Sequence, residues 1–299
     1  MKTPLLDKFN MLYADKSKNT MANYTKSILD FYQFMQEKFN CQTEDEIIKS
    51  TDWEQAQMFR IHLISTDLHP KTINNTLSGL RSFFKCLILT RVVKYNPFKD
   101  VEQVSTKSVE EYERPYLEES EFEVLINTIK SQDTVKRQQN FDLTSTRDAL
   151  AVGIMLKAGL RVSELLSIKE NDIDEETGIV SVLGKGNKRR NVKIGQDNIQ
   201  RLREYKYVRK AYTQSDYLFV NRYGNQITRQ ALNKNLKSYL DRAGLNMEVS
   251  CHGLRASAAT RLLRNGTRIT QVAKLLGHES VKTTLKHYAK ESDEFDFID

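Results

Sequence analysis

The stretch that decides how this chain is interpreted begins at Cys251-His252-Gly253-Leu254-Arg255, continues through Leu276-Gly277-His278 and ends at His287-Tyr288. It brings an arginine, histidine rings and a phenol into one short part of the chain. Such groups can hold the charged oxygens of a phosphodiester and attack its phosphorus. The stretch therefore predicts phosphodiester chemistry.

Helical periodicity runs through the same stretch. Apolar residues at helical spacing predict one helix that Gly266 ends and a second, shorter helix that Gly277 ends. These apolar positions are Leu254, Ala258, Leu262 and Leu263, then Ile269, Val272, Ala273 and Leu276. His252 and Arg255 are three residues apart, so we expect them on one helix face. His278 is expected just past the end of the second helix.

The pattern HGLR…LLGHES…HY resembles the C-terminal signature of the tyrosine recombinases, the family of phage integrases and Xer proteins. Two segments upstream resemble further motifs of this family. Residues 158–165, AGLRVSEL, resemble its first-arginine motif, and residues 182–188, VLGKGNK, resemble its lysine-bearing β-hairpin. Any one motif alone is a weak signal, but together and in this order they predict membership of the family.

The resemblance implies a mostly α fold with a small β-sheet (α+β), in which two domains form a C-shaped clamp on DNA. The expected domains are an N-terminal helical core-binding (SAM-like) domain at 1–103 and a catalytic domain at 115–290. A linker is expected at 104–114. The acidic segment 291–299 is either a disordered tail or, as the resemblance implies, a segment that docks on a neighbouring protomer.

The resemblance also implies the residues of the active site. Six residues are expected to be catalytic, with Glu164 in support: Arg161, Lys185, His252, Arg255, His278 and Tyr288. A guanidinium donates two parallel hydrogen bonds to phosphate and keeps its charge, which suits the two arginines to the scissile phosphate. Xer-type spacing would instead put His287 in the attacking position. We assign the nucleophile to Tyr288.

Lys185 lies between two glycines at a predicted turn between two strands. On the residues alone, two roles stay open. Lys185 either reaches a base edge or gives a proton to the leaving 5′ oxygen, or it belongs to a basic tip that only touches phosphate. That tip contains Lys188, Arg189 and Arg190. The spacing from Arg161 resembles that of the family and favours the catalytic role.

The charge of the chain suits a nucleic-acid partner. The 299 residues carry a net charge of +7, and residues 291–299 contain five acidic residues and no basic one, so the other 290 residues carry +12. A basic protein favours polyanionic partners. In the N-terminal helices, Lys71, Arg81 and Lys85 are therefore candidate DNA contacts, although such charges are more often a solvated face.

Cysteine and histidine usage argues against a metal or disulfide framework. The three cysteines are scattered, which indicates a reducing, cytoplasmic compartment. His252 and His278 lack a carboxylate or cysteine at ligand spacing, so no metal or other cofactor is expected. Cys251 beside His252 is interpreted as a small buried thiol rather than as a nucleophile. No apolar run reaches the length of a membrane span.

The resemblance implies a site-specific DNA recombinase that works through a 3′-phosphotyrosine and a Holliday junction. Its expected partners are double-stranded DNA with inverted-repeat core sites and a homotetramer on paired sites. Two other functions are weighed: a DNA-binding regulator that has lost catalysis, and a DNA-relaxing topoisomerase of related chemistry. The six expected catalytic residues argue against the regulator.

Local patterns predict the remaining elements. Four or five helices are expected before residue 100, with starts at Asn19-Thr20, Thr43, Thr51 and Pro70 and an end at Asn96-Pro97. A helix after Pro115 and helices at 145–158 and 228–243 are predicted in the second domain. Strands are predicted at 178–183 and 190–194, and a third at 217–220.

Overall fold

The structure, a computed structural model, describes residues 2–105, 115–131, 142–184 and 189–277. The chain divides into two compact units, residues 1–112 and 113–299. Each unit has its own apolar core. The predicted tail and most of the predicted linker lie outside the described residues, so the domain boundaries stay predictions.

The first unit contains five helices over its described residues. They are α1 Pro4–Leu12, α2 Lys18–Phe39, α3 Glu44–Ser50, α4 Trp53–Ser65 and α5 Pro70–Leu89. Aromatic rings fill their core: Phe31 packs edge-to-face against Phe59, Phe84 and Phe98, and all four are buried. The prediction of four or five helices is confirmed.

Two helices of this unit begin at residues other than those predicted. Ser17 rather than Asn19-Thr20 caps α2, and Asp52 rather than Thr51 caps α4. Ser17 and Asp52 each stand just before the first helical residue, and each has a side-chain oxygen that accepts N–H groups of the first turn. This is what defines a cap, and it overrides the neighbouring residue's propensity. The predicted starts at Thr43 and Pro70 are confirmed.

The last helix of this unit ends at Leu89, earlier than the predicted Asn96-Pro97. Arg91 takes a left-handed conformation, φ 58°, which is incompatible with continuing the helix. Asn96 has another role. Its amide donates to the carbonyl of Arg81 and accepts the N–H of Phe98, so it holds the chain that follows α5 against α5.

The second unit surrounds one buried helix. Its helices are α6 Glu119–Lys130, α7 Leu143–Ala158, α8 Val162–Leu166, α9 Gln196–Arg209, α10 Arg229–Arg242, α11 Cys251–Arg264 and α12 Ile269–Leu276. Almost every residue of α7 is buried, because α6, α9 and α11 pack around it. A helix enclosed in this way shows no polar stripe.

A three-stranded antiparallel sheet lies beside these helices. Its strands are β1 Ile173–Asp174, β2 Ile179–Leu183 and β3 Arg189–Lys193, in that order. The strands predicted at 178–183 and 190–194 are confirmed as β2 and β3. The predicted fold class, mostly α with a small sheet, is confirmed with them.

The predicted third strand at 217–220 is wrong. The sheet's third strand is β1, and residues 217–220 make only isolated bridges at Tyr217 and Val220. Leu218, Phe219 and Val220 are fully buried, which explains the strand-like pattern. Their backbone groups bond to loops and to the Tyr205 hydroxyl instead of to a ladder.

Candidate active site

The described residues contain about half of the predicted site. Arg161, Glu164, His252 and Arg255 are described. The predictions for Lys185, Lys188, His278, His287 and Tyr288 fall outside the described residues. The sequence also predicts a helix at 280–289, which lies outside them too.

Arg161 lies where α7 gives way to α8, as the N-cap residue of α8. α7 ends at Ala158 and is capped by Gly159, whose φ is +61°, and a Cβ on Gly159 would lie 2.5 Å from Cδ2 of Leu276. A glycine therefore allows the end of α7 to lie this close to α12. From this turn, Nη2 of Arg161 donates to the carbonyl of Gly277 at 3.3 Å.

Glu164 is a buried carboxylate among three guanidinium groups, with only 4% of its side chain exposed. Arg161 donates its backbone N–H at 2.9 Å and Nη1 at 2.8 Å, and Arg190 donates Nη1 and Nη2 at 3.0 and 2.9 Å. Nη1 of Arg255 lies 3.9 Å away. Burial raises the pKa of Glu164, but the hydrogen bonds from Arg190 and Arg161 hold that pKa below its ordinary value. Glu164 is therefore ionised at neutral pH.

Arg255 is held inside the unit on the second turn of α11. Its side chain is 3% exposed. Nη1 donates to the carbonyl of Gly159 and Nη2 to that of Leu276, both at 2.8 Å. The start of α11 is fixed by Ser250, whose hydroxyl accepts the N–H of His252. His252 itself is exposed, so the two residues predicted on one helix face lie at different depths.

The C-terminal end of α12 receives an arginine at each of three successive carbonyl groups. Arg190 Nε donates to Leu275 at 3.3 Å, Arg255 Nη2 to Leu276 at 2.8 Å and Arg161 Nη2 to Gly277 at 3.3 Å. Carbonyl groups at a helix end lack intrahelical partners and carry the negative end of the helix dipole, so cations are stabilised there. His278 follows this end directly in the sequence.

The two arginines of β3 have different environments. Arg189 is 60% exposed and pairs with Asp172 at 2.9 Å. Arg190 is 19% exposed and turns toward Glu164. Neighbouring residues on a strand point to opposite faces, so only one of the two can face the site. The predicted DNA contact of each stays a prediction, but the guanidinium of Arg190 is already engaged within the protein.

The role of Arg190 beside Glu164 was missed in the sequence, although a signal for it exists. Arg190, Val192 and Ile194 alternate along one strand face, and the two apolar residues are buried. That alternation places Arg190 on the inner face. What the sequence did not supply is the partner, because Glu164 is 26 residues away along the chain.

The predicted DNA contacts of the first unit also differ in their environments: two are exposed and one is bound within the protein. Lys71 and Lys85 are exposed on α5. Arg81 lies between them on the same helix, and its guanidinium donates to the carbonyls of Phe98 and Val101. The structure thus gives Arg81 a structural contact, and its predicted role toward DNA is not tested.

Other predictions about the chemistry of the chain concern metals, thiols and membranes. Among the described residues no group of histidine, cysteine and carboxylate side chains could hold a metal ion. Burial raises the pKa of the Cys251 thiol to about 11, which fits its interpretation as a structural thiol. In the described parts of the chain, none of the helices combines the length and apolarity needed to cross a membrane.

Two family models match the chain. The model described as Phage integrase family matches residues 115–294, and the model described as Phage integrase, N-terminal SAM-like domain, matches residues 6–91. The chain belongs to the phage integrase family, the tyrosine recombinases.

Curated relatives of this tyrosine recombinase match over most of their lengths. Tyrosine recombinase XerC of Syntrophus aciditrophicus (strain SB) is 31% identical over 293 residues, which cover 95% of this chain and 91% of that protein. Tyrosine recombinase XerD of Oceanobacillus iheyensis is 29% identical over 288 residues, 93% and 90% of the two chains. The predicted enzyme class, a site-specific tyrosine recombinase, is confirmed, and neither the silent regulator nor the topoisomerase is favoured.

Solved structures share the fold of this tyrosine recombinase. The XerH site-specific recombinase in a post-cleavage complex with palindromic difH substrate has a TM-score of 0.73 at 23% identity, covering 92% of this chain and 77% of that chain. The Tn1549 transposon integrase in complex with a circular intermediate DNA has a TM-score of 0.71 at 19% identity, covering 97% and 98%.

Proposed function

We propose that this recombinase cleaves and rejoins duplex DNA at a specific site, with Tyr288 as nucleophile and Arg161 and Arg255 on the scissile phosphate. One observation supports this most directly. The two guanidinium groups come from different helices, yet they donate to adjacent carbonyls at the end of α12 and lie beside the same buried carboxylate, Glu164. A pair of guanidiniums held together in this way suits one phosphate.

The depths of the site residues suit different roles. Arg161 is 34% exposed, so its guanidinium can meet a phosphate that arrives from solvent. Arg255 lies deeper and is positioned to neutralise the charge that develops on the phosphate oxygens. His252 is exposed on the first turn of α11, where the helix dipole also favours an anion. It is proposed to donate a hydrogen bond to the phosphate.

The proposed reaction exchanges one phosphodiester bond for another. The phenol of Tyr288 gives its proton to solvent, its Oη forms a bond to phosphorus while the bond from phosphorus to the 5′ oxygen breaks, and the 5′ oxygen takes a proton. Lys185 is the proposed donor of that proton, and His278 is proposed to stabilise the attacking phenolate. The 5′ hydroxyl of a partner strand then reverses the step. Because the phosphotyrosine linkage conserves the energy of the broken phosphodiester bond, this chemistry needs no ATP or metal.

Assembly on DNA is part of the proposal. Two protomers on each inverted-repeat core site, and four on paired sites, would pass through a Holliday junction. Solved neighbours include XerH bound to difH substrate and a lambda integrase dimer bound to a COC′ core site, which supports duplex DNA as the partner. Lys71 and Lys85 of the first unit are proposed phosphate contacts. A cytoplasmic location is proposed as well, and the scattered cysteines support it.

The test is covalent capture from a library of nicked half-sites with randomised core sequence. A nick beside the scissile position lets the leaving fragment diffuse away, so the 3′-phosphotyrosine accumulates. We expect adducts that resist denaturant and that converge on one sequence when the attached DNA is read. Specific binding to a selected sequence without any adduct would favour the silent regulator. Adducts without sequence preference would favour the topoisomerase.

A further inference from the structure

We propose that Arg190 is a positioning residue for the arginine pair, acting through Glu164. It holds both oxygens of the Glu164 carboxylate, so that the guanidinium of neither Arg161 nor Arg255 is drawn into a contact in which two of its own N–H groups bond to that carboxylate. The inference rests on the proposed function, because its effect is expected on strand cleavage. It assigns Arg190 a role other than the DNA contact that its place in the basic hairpin predicts.

The geometry of Arg190 is that of a guanidinium fixed at three points. Nη1 and Nη2 donate to Oε1 and Oε2 of Glu164 at 3.0 and 2.9 Å, and Nε donates to the carbonyl of Leu275 at 3.3 Å. The guanidinium also lies against Gly277, where an added Cβ would be 3.0 Å from Cζ of Arg190. A side chain at position 277 would displace this contact.

The carboxylate's need for hydrogen bonds explains why Arg190 affects its neighbours. Glu164 is buried, and a buried carboxylate is stable only when its oxygens are paired. With Arg190 in place, Arg161 gives it one guanidinium bond and one backbone bond, while Arg255 stays at 3.9 Å. Without Arg190, two hydrogen bonds are lost, and among the described residues the nearest cations that can replace them are Arg161 and Arg255.

Capture of either arginine would remove donors from the phosphate. A two-bond contact between a guanidinium and a carboxylate is the strongest geometry open to that pair. An arginine turned fully onto Glu164 directs its paired N–H groups away from where a phosphate would be bound. Arg190 therefore contributes to cleavage without touching DNA.

The position of Arg190 in the sheet also ties together three segments that carry predicted catalytic residues. It lies on β3 opposite Val182 of β2, one pair from the end of the ladder at Leu183 and Arg189, and Lys185 lies between these two strands in the sequence. Its other contacts are α8 through Glu164 and the end of α12 through Leu275. A substitution at Arg190 is expected to act on the position of all three segments.

The test compares cleavage with binding for Arg190→Ala, Arg190→Lys and Glu164→Gln and for the double variant Arg190→Ala/Glu164→Gln. The probe is the nicked duplex selected from the half-site library, and the readouts are single-turnover adduct formation and gel-shift affinity as a function of salt. We expect Arg190→Ala to slow adduct formation by up to about 100-fold, the loss that a misplacement of about 1 Å at a reacting centre can cause. Affinity and its salt dependence should stay at parental values.

The other variants separate positioning from simple loss of charge. Arg190→Lys keeps the charge but makes only one of the two parallel bonds, so it should also slow adduct formation, by less than alanine does. In the double variant the carboxylate that would capture an arginine is gone. The double variant should therefore cleave at least as fast as the slower of the two single variants. Such a non-additive result indicates that the two residues act together.

Arg264→Ala is the matched control, since Arg264 forms an exposed ion pair with Glu118 on the surface of the same unit. It should leave adduct formation unchanged. Three outcomes would overturn the inference. The first is parental cleavage in Arg190→Ala or Arg190→Lys, and the second is additive losses of cleavage in the double variant. The third is a loss of affinity equal to the loss of cleavage, together with a slope of log affinity against log salt that is lower by about 1, as for a phosphate contact. If Arg190→Ala does not fold, Arg190→Lys decides. Failure of the parental protein to form any adduct would instead contradict the proposed function.

Discussion

Glu164 accepts hydrogen bonds from both the backbone N–H and the guanidinium of Arg161, at 2.9 and 2.8 Å. One carboxylate thus fixes the start of α8 and the direction of the arginine that precedes it. The two residues are three apart in sequence, so the arrangement is local. The position of Arg161 depends on the ionised state of Glu164, which can be tested by pH.

Glu164→Gln should change how stability depends on pH. The pKa of Glu164 is lowered in the folded protein, while the unfolded chain has the ordinary value of about 4.3. Its stabilising contribution is therefore fully present above that value and is lost as pH falls through the lower, folded pKa. Thermal unfolding of the protein without DNA should show a smaller loss of stability toward acid in Glu164→Gln than in the parent.

Comparison of the two unfolding curves isolates Glu164 from other carboxylates. Asp172 and Asp174 also have lowered pKa values, because hydrogen bonds favour their ionised forms. They are present in both proteins, so their contributions cancel in the difference. Identical pH dependence in parent and variant would show that the ionised carboxylate of Glu164 does not stabilise the fold.

Replacing the two arginines should have different effects on stability although both replacements impair cleavage. Arg161→Ala and Arg255→Ala should each slow adduct formation by about two decades or more, the loss expected for a main transition-state donor. Arg255→Ala also leaves the carbonyls of Gly159 and Leu276 without their donor in the interior. Differential scanning fluorimetry should therefore show the larger fall in unfolding temperature for Arg255→Ala.

Gel-shift affinity for the selected site distinguishes stabilisation of the transition state by these arginines from simple anchoring of a phosphate. Both variants should bind near the parental value, since most binding energy comes from many other phosphate contacts. Equal losses of affinity and cleavage in Arg161→Ala would reduce Arg161 to a phosphate anchor. Arg255→Lys keeps the charge inside and serves as the comparison if the alanine variant is too unstable.

Much of the fold was predictable because its signals are local. Helix ends at Gly159, Gly266 and Gly277 follow from left-handed conformations that glycine adopts without strain. Strands β2 and β3 follow from their apolar residues on either side of a glycine-rich segment. The predicted strand at 217–220 failed for a physical reason: burial makes a segment apolar whether its backbone bonds to a strand or to side chains such as Tyr205.

The site was predictable only in part, since contacts across the chain leave little trace in one sequence. The motifs identified Arg161 and Arg255, but not that each donates to the end of α12. Arg81 and Arg190 were grouped with exposed basic residues because charge alone does not show which way a guanidinium turns. Both donate to backbone carbonyls of the protein, which becomes visible only once the elements are packed.

Gly253→Ala should disturb a contact between α11 and the segment 115–118. A Cβ at position 253 would lie 2.6 Å from the carbonyl oxygen of Pro115. Overpacking of this kind costs about 1–3 kcal/mol, while alanine gains about 1 kcal/mol in helix propensity, so the net loss of stability should be small. The displaced turn carries His252, so the rate of adduct formation should fall clearly although the free energy of unfolding changes little.

Ser257→Ala is the control for that prediction. Its hydroxyl accepts the N–H of Leu117 at 2.8 Å and donates to the carbonyl of Gly253 at 3.0 Å, so its removal weakens the hold on the same segment without pressing a new atom against it. We expect lower thermal stability and unchanged adduct formation. If Gly253→Ala and Ser257→Ala reduce adduct formation alike, the effect belongs to the segment 115–118 as a whole and not to the first turn of α11.

Basic residues on α5 should separate into DNA contacts and structural contacts. Lys71→Ala and Lys85→Ala should each weaken binding of the selected duplex and lower the slope of log affinity against log salt by about 1. Arg81→Ala removes donors from the carbonyls of Phe98 and Val101, so it should mainly lower thermal stability. A parental salt slope in both lysine variants would contradict their assignment to DNA.

The identity of the nucleophile is the last prediction, and it turns on two adjacent residues, His287 and Tyr288. The phenol of tyrosine has an ordinary pKa of about 10, so phenolate is a reasonable leaving group when a 5′ hydroxyl attacks the adduct. In the proposed site, Arg161 and Arg255 are expected to favour the phenolate and so to ease its formation. On the predicted helix at 280–289, Tyr288 shares a face with Val281 and Thr284, whereas His287 points about 100° away.

Tyr288→Phe should therefore abolish the covalent adduct on the nicked duplex, because it removes the attacking oxygen and leaves the ring. His287→Ala should retain the adduct, since the neighbouring phenol is unchanged, and it serves as the matched control. Gel-shift affinity of both variants should equal that of the parent. An adduct that persists in Tyr288→Phe, and that acid cleaves as it cleaves a phosphohistidine, would place the nucleophile one residue earlier, at His287.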